Sequence, residues 1–224
     1  MSPSHLVACI AAFAVTTLPL TSCGGSDPEP PSGSRSIAIA TTGGAEIPAI
    51  EVGSGDRVAV LSHGATGTKE DFFGLAGVFA EGGWRAIAYD ARSAAREDDL
   101  RAVVAYARDA GATSVVLVGG SLGASLSISM AAELDVRAVV SLSAPVSSFD
   151  ALEAAEAIGD SVPMLVAVAE GNQPYADDAV KIADALGTTA TIVSGDRHGT
   201  GLFRDHPELM DTIVAFADAA VGQA

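Results

Sequence analysis

Short apolar runs alternate along the chain with longer segments in which apolar residues recur every three or four positions. Runs of four or more apolar residues are typical of strands buried on both faces, whereas the wider spacing is typical of amphipathic helices. The pattern predicts strands at 36–40, 47–52, 58–61, 84–89, 114–118, 136–142, 163–169 and 189–193. It predicts helices at 69–82, 96–110, 122–132, 150–158, 176–186 and 207–220.

This alternation predicts an α/β fold, with a mostly parallel sheet of about eight strands and helices on both of its faces. The first two strands are joined through Thr42-Gly43-Gly44, a turn short enough to pair them as an antiparallel hairpin. Pro48 favours an edge position, because proline donates no ladder hydrogen bond. Ligands of open parallel sheets bind at the carboxyl ends of strands, so residues that follow strands are the first candidates for a site.

The strand at 114–118 leads into Gly119-Gly120-Ser121-Leu122-Gly123, a G-x-S-x-G motif between a predicted strand and a predicted helix. Glycines suit this corner because the backbone turns sharply and neighbouring strands crowd it. Such a corner exposes the serine hydroxyl at a strained tip, and the helix that follows directs its N-terminal N–H groups towards developing negative charge. Ser121 is therefore the candidate nucleophile, in preference to an ordinary Gly-Gly-Ser turn.

Length and charge narrow the classes of function. The 224 residues suit one domain, and 49% hydrophobic residues are ample for a core. Asp and Glu number 28 against 12 Lys and Arg, a net charge of −16. Such a surface repels nucleic acid and anionic lipid head groups, so no nucleic-acid partner is expected.

The N-terminal residues are predicted to lie outside the folded domain. Residues 6–20 are apolar but too short, and interrupted by Pro19, for a membrane-spanning helix. They end in Leu20-Thr21-Ser22-Cys23, which resembles the signal of a bacterial lipoprotein, although the segment before them carries no Lys or Arg. The resemblance implies cleavage of the signal peptide 1–22, a lipid on Cys23, and export to the cell membrane or envelope. An uncleaved anchor and an ordinary secretory signal are the alternatives.

Residues 23–35 are rich in Pro, Gly and Ser and are predicted to form a disordered tether, which leaves 36–224 as the folded domain.

Both cysteines, Cys9 and Cys23, precede that domain, so we expect neither a disulfide nor a sulfur-ligated metal within it. The sequence shows no metal-ligand spacing of His, Asp or Glu, no phosphate-binding loop and no dinucleotide motif. It therefore predicts no metal and no cofactor.

Three segments give the chain a specific resemblance: Ser62-His63-Gly64-Ala65, the G-x-S-x-G at 119–123, and His198-Gly199 after the last predicted strand. Over 36–221 the chain looks like a member of the α/β-hydrolase family, close to the small dienelactone-hydrolase-like serine esterases. The resemblance implies the α/β-hydrolase fold. Relatives carry a lid after the 136–142 strand, and this chain has no long insertion there. We therefore expect a shallow, open site for small or flexible acyl substrates.

In that family the elbow serine attacks a carbonyl carbon and a late histidine removes its proton, roles that fall to Ser121 and His198. The backbone N–H groups of Ala65 and Leu122 match the oxyanion hole. His63 would shape the oxyanion loop, and His206 would be a cap or a surface residue.

The third member of the triad departs from the family pattern. Counting back from Pro174 puts the family's aspartate at Asn172 or Gly171, and neither is acidic. Asn172 would hold the imidazole through its amide oxygen without supplying a counter-charge, whereas Glu170 would supply one through a longer side chain. The sequence leaves these two open. Three further carboxylates are close in sequence, and each also suits a solvated surface: Asp177, Asp178 and Asp196.

These assignments predict a lipid-anchored serine hydrolase that cleaves a small carboxylic ester or lactone through an acyl-enzyme on Ser121. Because the acid is missing, the alternative is a catalytically impaired member of the fold that binds a small ligand or an envelope partner. Acyl transfer and amide hydrolysis use the same groups and stay open. The sequence carries no signal for an oligomeric state.

Overall fold

A single sheet runs through the centre of the domain. The computed structural model describes residues 28–222, so the signal peptide and Cys23 lie outside the described residues. The strands within that range are β1 Arg35–Ala40, β2 Glu46–Gly53, β3 Arg57–Ser62, β4 Arg85–Tyr89, β5 Ser114–Gly120, β6 Ala138–Leu142, β7 Met164–Ala169 and β8 Thr191–Val193. Their order is β1-β2-β4-β3-β5-β6-β7-β8, with β1 and β2 antiparallel, β2 and β4 antiparallel, and the other neighbours parallel. This is the predicted α/β-hydrolase fold.

Helices cover both faces of the sheet. They are α1 Phe73–Glu81, α2 Arg96–Asp109, α3 Leu122–Met130, α4 Ala151–Ile158, α5 Tyr175–Ala185, α6 Leu202–Asp205 and α7 Glu208–Gly222. One core packs between the sheet and α2, α3, α4 and α5, and a second packs between the opposite face and α1 and α7. Successive residues of β3 alternate between the two cores, which is why this strand is a continuous apolar run. Within residues 28–222 none of the helices combines the length and apolarity needed to cross a bilayer.

Two predicted elements differ in the structure. Lys69–Phe72 forms a 3-10 turn ahead of α1, rather than the first turn of a single helix over 69–82. Pro48 lies in β2, which is paired on both sides, so the predicted edge position is wrong. The Pro48 carbonyl accepts the Asp90 N–H just beyond the β2–β4 ladder. The proline nitrogen faces the same way, past the last residue pair of the ladder, so its missing proton interrupts no pair within the ladder.

Residues 28–34 follow the surface of the domain, with Pro31 and Ser34 half-buried, whereas the sequence predicts a disordered tether over 23–35. A turn brings the Ser34 N–H to the Pro31 carbonyl at 3.0 Å. Pro31 lies against α1, where a Cβ at Gly77 would be 3.6 Å from the Pro31 Cβ. Pro28 and Pro30 line a cavity of about 650 Å³ together with residues 68–71. The packed region therefore begins before the predicted boundary at residue 36.

Candidate active site

The loops that follow β3, β5, β7 and β8 meet at one edge of the sheet. β3 and β5 are parallel neighbours, with Ser62 opposite Gly119. The residues after them are consequently close, and a Cβ at Gly64 would be 3.3 Å from the Cβ of Ser121. The loops after β7 and β8 approach the same point, so the sheet topology gathers the segments that carry the candidate residues.

Ser121 occupies a strained corner between β5 and α3. Its backbone angles are φ 54° and ψ −120°, a region that L-residues rarely adopt. Its N–H donates to the Leu142 carbonyl at 2.8 Å, and its carbonyl accepts the Ala124 N–H at 2.9 Å. A Cβ at Gly123 would collide with the Ser62 carbonyl oxygen, so this glycine allows α3 to approach β3. The corner therefore projects the serine side chain beyond the sheet.

His198 connects Ser121 to Asn172. Its Nε2 lies 2.7 Å from Ser121 Oγ, and its Nδ1 lies 2.9 Å from Asn172 Oδ1. Because an amide oxygen accepts and does not donate, Nδ1 carries the ring proton and Nε2 is available to accept the serine proton. Burial lowers the pKa of the His198 imidazole, which favours the neutral form that a base requires. The Tyr175 ring packs against this imidazole, with centroids 4.1 Å apart.

Asn172, rather than Glu170, is the hydrogen-bond partner of His198. The Asn172 N–H donates to the Ala169 carbonyl at 3.0 Å, a turn that brings the side chain under the imidazole. Glu170 is exposed, and within the described chain its carboxylate makes no hydrogen bond. Of the two residues that the sequence leaves open, Asn172 is therefore the one whose side chain contacts His198.

The other nearby carboxylates point elsewhere. Asp177 accepts a hydrogen bond from Gln173, and Asp178 accepts the Val146 N–H. Asp196 is exposed, next but one to His198 in sequence. Among residues 28–222, His198 therefore has no carboxylate hydrogen-bond partner.

Ser143 fixes the loop that carries His198. This buried serine follows β6, has φ 56°, and accepts the N–H of Gly199 at 3.1 Å through Oγ. The bond joins residues 56 positions apart, and a small residue after a strand gives no sequence signal for such a role. Ser143 is a positioning residue that sequence reasoning missed.

The backbone N–H groups of Ala65 and Leu122 are the predicted oxyanion donors, and Ala65 lines the cavity that contains Ser121. Leu122 is the first residue of α3, where a helical N–H has no acceptor within the helix. Across residues 28–222, neither N–H donates to a protein acceptor. Both groups are therefore available to a ligand oxygen.

His63 and the buried Arg96 support the loop after β3. His63 Nδ1 donates to the Gly64 carbonyl at 2.7 Å, and its Nε2 accepts the Ala91 N–H at 2.9 Å. With both nitrogens occupied, and its pKa lowered by burial, this histidine has a structural role. Arg96 donates to the carbonyls of His63 and Gly64 at 3.2 and 3.1 Å. One signal could have found Arg96, because the helix dipole disfavours a cation in the first turn of α2.

His206 lies at the C-terminal end of α6. Its Nε2 donates to the Ser194 carbonyl at 2.9 Å, and its Nδ1 is 3.2 Å from the Glu208 carboxylate. These bonds, led by that to Ser194, raise the pKa of His206. The side chain is engaged with its own loop and does not line the cavity described next.

A cavity of about 400 Å³ lies over Ser121. Its exposed rim includes Ala65 and Thr66, and between β6 and β7 the described chain has one helix, α4, rather than a lid. Within residues 28–222, no three His, Cys, Asp or Glu side chains gather as a metal site would require. The lining is small and polar, with Asp71 and His198 as its ionisable members: Gly64, Ala65, Thr66, Gly67, Asp71, Gly120, Ser121, His198, Gly199 and Thr200.

Comparisons with known proteins agree with this architecture. Est1E from Butyrivibrio proteoclasticus superposes with a TM-score of 0.72 at 15% identity, over 84% of this chain and 99% of that chain. The Pyrococcus furiosus esterase Pf2001 gives 0.70 at 13% identity, over 84% and 91%. A Xanthomonas campestris protein described as an a/b serine hydrolase without lid gives 0.63 at 19% identity, over 86% and 95%. These likenesses show the shared fold.

Sequence comparison provides the family. No curated protein is significantly similar to the chain. The model of the Alpha/beta hydrolase family matches residues 59–223, which is well over half of the sequence and includes Ser121, Asn172 and His198. The chain therefore belongs to the alpha/beta hydrolase family.

Proposed function

We propose that the protein is a serine hydrolase that cleaves small carboxylic esters or lactones through an acyl-enzyme intermediate. The observation that carries the proposal is the hydrogen-bonded line from Ser121 Oγ through His198 to Asn172, with distances of 2.7 and 2.9 Å. Esterases among the structurally similar proteins support the same reaction. The closer resemblance to dienelactone-hydrolase-like enzymes stays a prediction.

In the acylation step, His198 Nε2 accepts the hydroxyl proton while Ser121 Oγ forms a bond to the substrate carbonyl carbon. The carbonyl oxygen gains the negative charge and accepts hydrogen bonds from the N–H groups of Ala65 and Leu122. Loss of one such donor typically lowers the rate by about 10² to 10³. The imidazolium then gives its proton to the leaving alcohol oxygen as that C–O bond breaks.

In the deacylation step, water replaces the alcohol. His198 removes a proton from the water, whose oxygen attacks the acyl carbon, and the same two N–H groups hold the oxyanion. The proton returns to Ser121 Oγ as the acid product leaves. When the substrate is a lactone, the leaving alcohol stays attached to the acyl chain.

Asn172 maintains the orientation and tautomer of His198 but provides no negative charge to the imidazolium. In a serine triad, replacing the acid with its amide can lower the rate by about 10⁴, a loss that includes the wrong imidazole tautomer, so loss of the charge alone should cost less. We therefore expect a slow hydrolase. The same observation favours the second candidate function, in which the fold binds a small ligand or an envelope partner without turnover.

A fluorophosphonate probe and a p-nitrophenyl butyrate assay test the proposal on the purified protein. We expect labelling and hydrolysis in the wild type, loss of both in Ser121→Ala, and retention of both in Ser129→Ala, which removes a hydroxyl from the same helix. A folded wild type that is neither labelled nor active would favour the binding function. Hydrolysis that survives in Ser121→Ala would rule out Ser121 as the nucleophile.

We also propose that Cys23 carries a lipid that anchors the protein to the cell membrane or envelope. Support comes from the apolar stretch that ends in Leu20-Thr21-Ser22-Cys23 and from the Pro/Gly/Ser-rich residues that follow. Metabolic labelling with an alkyne fatty acid in a bacterial host tests it. Label should be incorporated into the wild type and into Cys9→Ser but not into Cys23→Ser, and an unlabelled wild type would overturn the anchor.

A further inference from the structure

Arg96 is a buried cation beneath the oxyanion loop, defined as residues 63–65. The side chain is 5% exposed and donates to three consecutive carbonyls, those of His63, Gly64 and Ala65, at 3.2, 3.1 and 3.4 Å. In the described part of the chain it forms no ion pair with a carboxylate. Burying a charge without a carboxylate in direct contact is costly, so a specific arrangement must hold it there.

The peptide between Gly64 and Ala65 connects Arg96 to the site. Its C=O accepts from the guanidinium and from His63 Nδ1, and its N–H is the oxyanion donor of Ala65. The peptide is trans, so its C=O and N–H point in opposite directions. Because the C=O is held by the buried guanidinium, the N–H faces away from it, towards the cavity that Ala65 and Ser121 line.

We propose that Arg96 is a positioning residue that orients the Ala65 N–H and strengthens it as an oxyanion donor. Hydrogen bonds to a carbonyl withdraw electron density from the peptide and make its N–H a better donor, and a charged donor does so more than a neutral one. The stronger Ala65 donor would stabilise the negative charge that forms on the substrate oxygen in the transition state. The proposed role of Arg96 therefore rests on the proposed hydrolase function.

The expected result is a loss of kcat with little change in KM. Arg96→Gln keeps a hydrogen-bond donor but removes the charge, and we expect kcat to fall about tenfold, less than loss of a whole donor. Arg96→Lys keeps the charge and should retain an intermediate kcat. The matched control is Arg101→Gln on the same helix, whose guanidinium pairs with Glu133 away from the oxyanion loop.

Two further measurements separate this role from a merely structural one. Across the folded variants, affinity for a boronic acid that forms an anionic tetrahedral adduct should fall in parallel with kcat. The amide proton of Ala65 should shift upfield in Arg96→Gln but not in Arg101→Gln, a readout that needs no turnover. Thermal melting of each full-length variant verifies that it is folded.

The outcomes of this experiment are distinguishable from those of the Ser121 experiment. Hydrolysis that depends on Ser121 but is equal in the wild type and folded Arg96→Gln would overturn the role of Arg96 alone. Equal kcat values in Arg96→Lys and Arg96→Gln would show that charge is not involved. An unchanged Ala65 amide shift would overturn the polarisation even if the protein proved not to be a hydrolase.

Discussion

At the scale of single residues, Asn172 differs from the carboxylate of a serine triad by one charge and not by position. Its oxygen lies 2.9 Å from His198 Nδ1, a distance at which a carboxylate oxygen would also fit. The imidazole is oriented, but the imidazolium of the proposed reaction would have no anionic hydrogen-bond partner among the described residues. The absence of a negative charge beside His198 should therefore limit the rate of hydrolysis.

Asn172→Asp is expected to raise kcat/KM for p-nitrophenyl butyrate by at least tenfold, towards the limit of about 10⁴ set by triads that lose their acid. The substitution keeps the side-chain shape and adds the counter-charge. Glu170→Gln is the matched control and should leave the rate unchanged, because Glu170 is exposed. A lower rate in Glu170→Gln would indicate that Glu170, rather than residue 172, supplies the negative charge to His198.

The pH dependence provides a separate prediction. Burial lowers the pKa of His198 below its usual 6.5, and the base must be neutral, so kcat/KM should rise with pH and reach half its plateau below pH 6.5. In Asn172→Asp the new negative charge favours the imidazolium and raises the His198 pKa, so the midpoint should move to higher pH. Profiles measured from pH 4 to 9, about the range in which a perturbed histidine titrates, compare the two midpoints. Identical midpoints would contradict the pairing of residue 172 with His198.

At the scale of elements, the sequence predicts the fold well because most strands of the parallel part of the sheet consist largely of consecutive apolar residues. The sequence also predicts the corner that carries Ser121, because a strand, a glycine-rich turn and a helix follow one another directly there. It cannot decide between Glu170 and Asn172, because that choice depends on how the turn after β7 bends, and no periodicity encodes the turn. Ser143 escapes prediction because its partner is 56 residues away. The partner of Arg96 is 33 residues away, and its one signal is a cation in the first turn of a helix.

The close packing at the corner between β5 and α3 indicates which glycine cannot be replaced without loss of stability. In Gly123→Ala the new Cβ would collide with the Ser62 carbonyl, which is backbone and cannot rotate away. We expect the free energy of unfolding to fall by about 3 kcal/mol, the upper range for overpacking. Gly43→Ala in the β1–β2 turn is the control, since the nearest atom to its Cβ would be 3.9 Å away. Chemical denaturation measures both, and equal stabilities would contradict the close approach of α3 and β3.

At the scale of the whole molecule, charge should select among substrates. The net charge is −16, and Asp71 is the one carboxylate among the residues that line the cavity over Ser121. No Lys or Arg is among those described lining residues. An anionic acyl group would therefore be repelled both over long range and within the cavity.

Asp71→Asn should raise kcat/KM for p-nitrophenyl hemisuccinate several-fold while changing that for p-nitrophenyl butyrate by less than about twofold, because screening limits the effect of an exposed charge. Asparagine can still accept the Thr68 N–H that Asp71 accepts at 3.3 Å, which preserves the local turn. Asp196→Asn removes the same charge outside the cavity lining and serves as the control. Equal gains in the two variants would assign the selectivity to net charge rather than to Asp71.

The packing of residues 28–34 on the domain shortens the proposed spacer. Pro28 is the fifth residue after Cys23, and each fully extended step spans at most about 3.6 Å, so Pro28 would lie within about 18 Å of the lipidated position. Pro28 and Asp71 line one cavity, and Asp71 also lines the cavity over Ser121. With a lipid on Cys23, the cavity over Ser121 would therefore be held close to the bilayer surface. Its encounters with substrate would then be interfacial, with esters that diffuse in two dimensions along the leaflet.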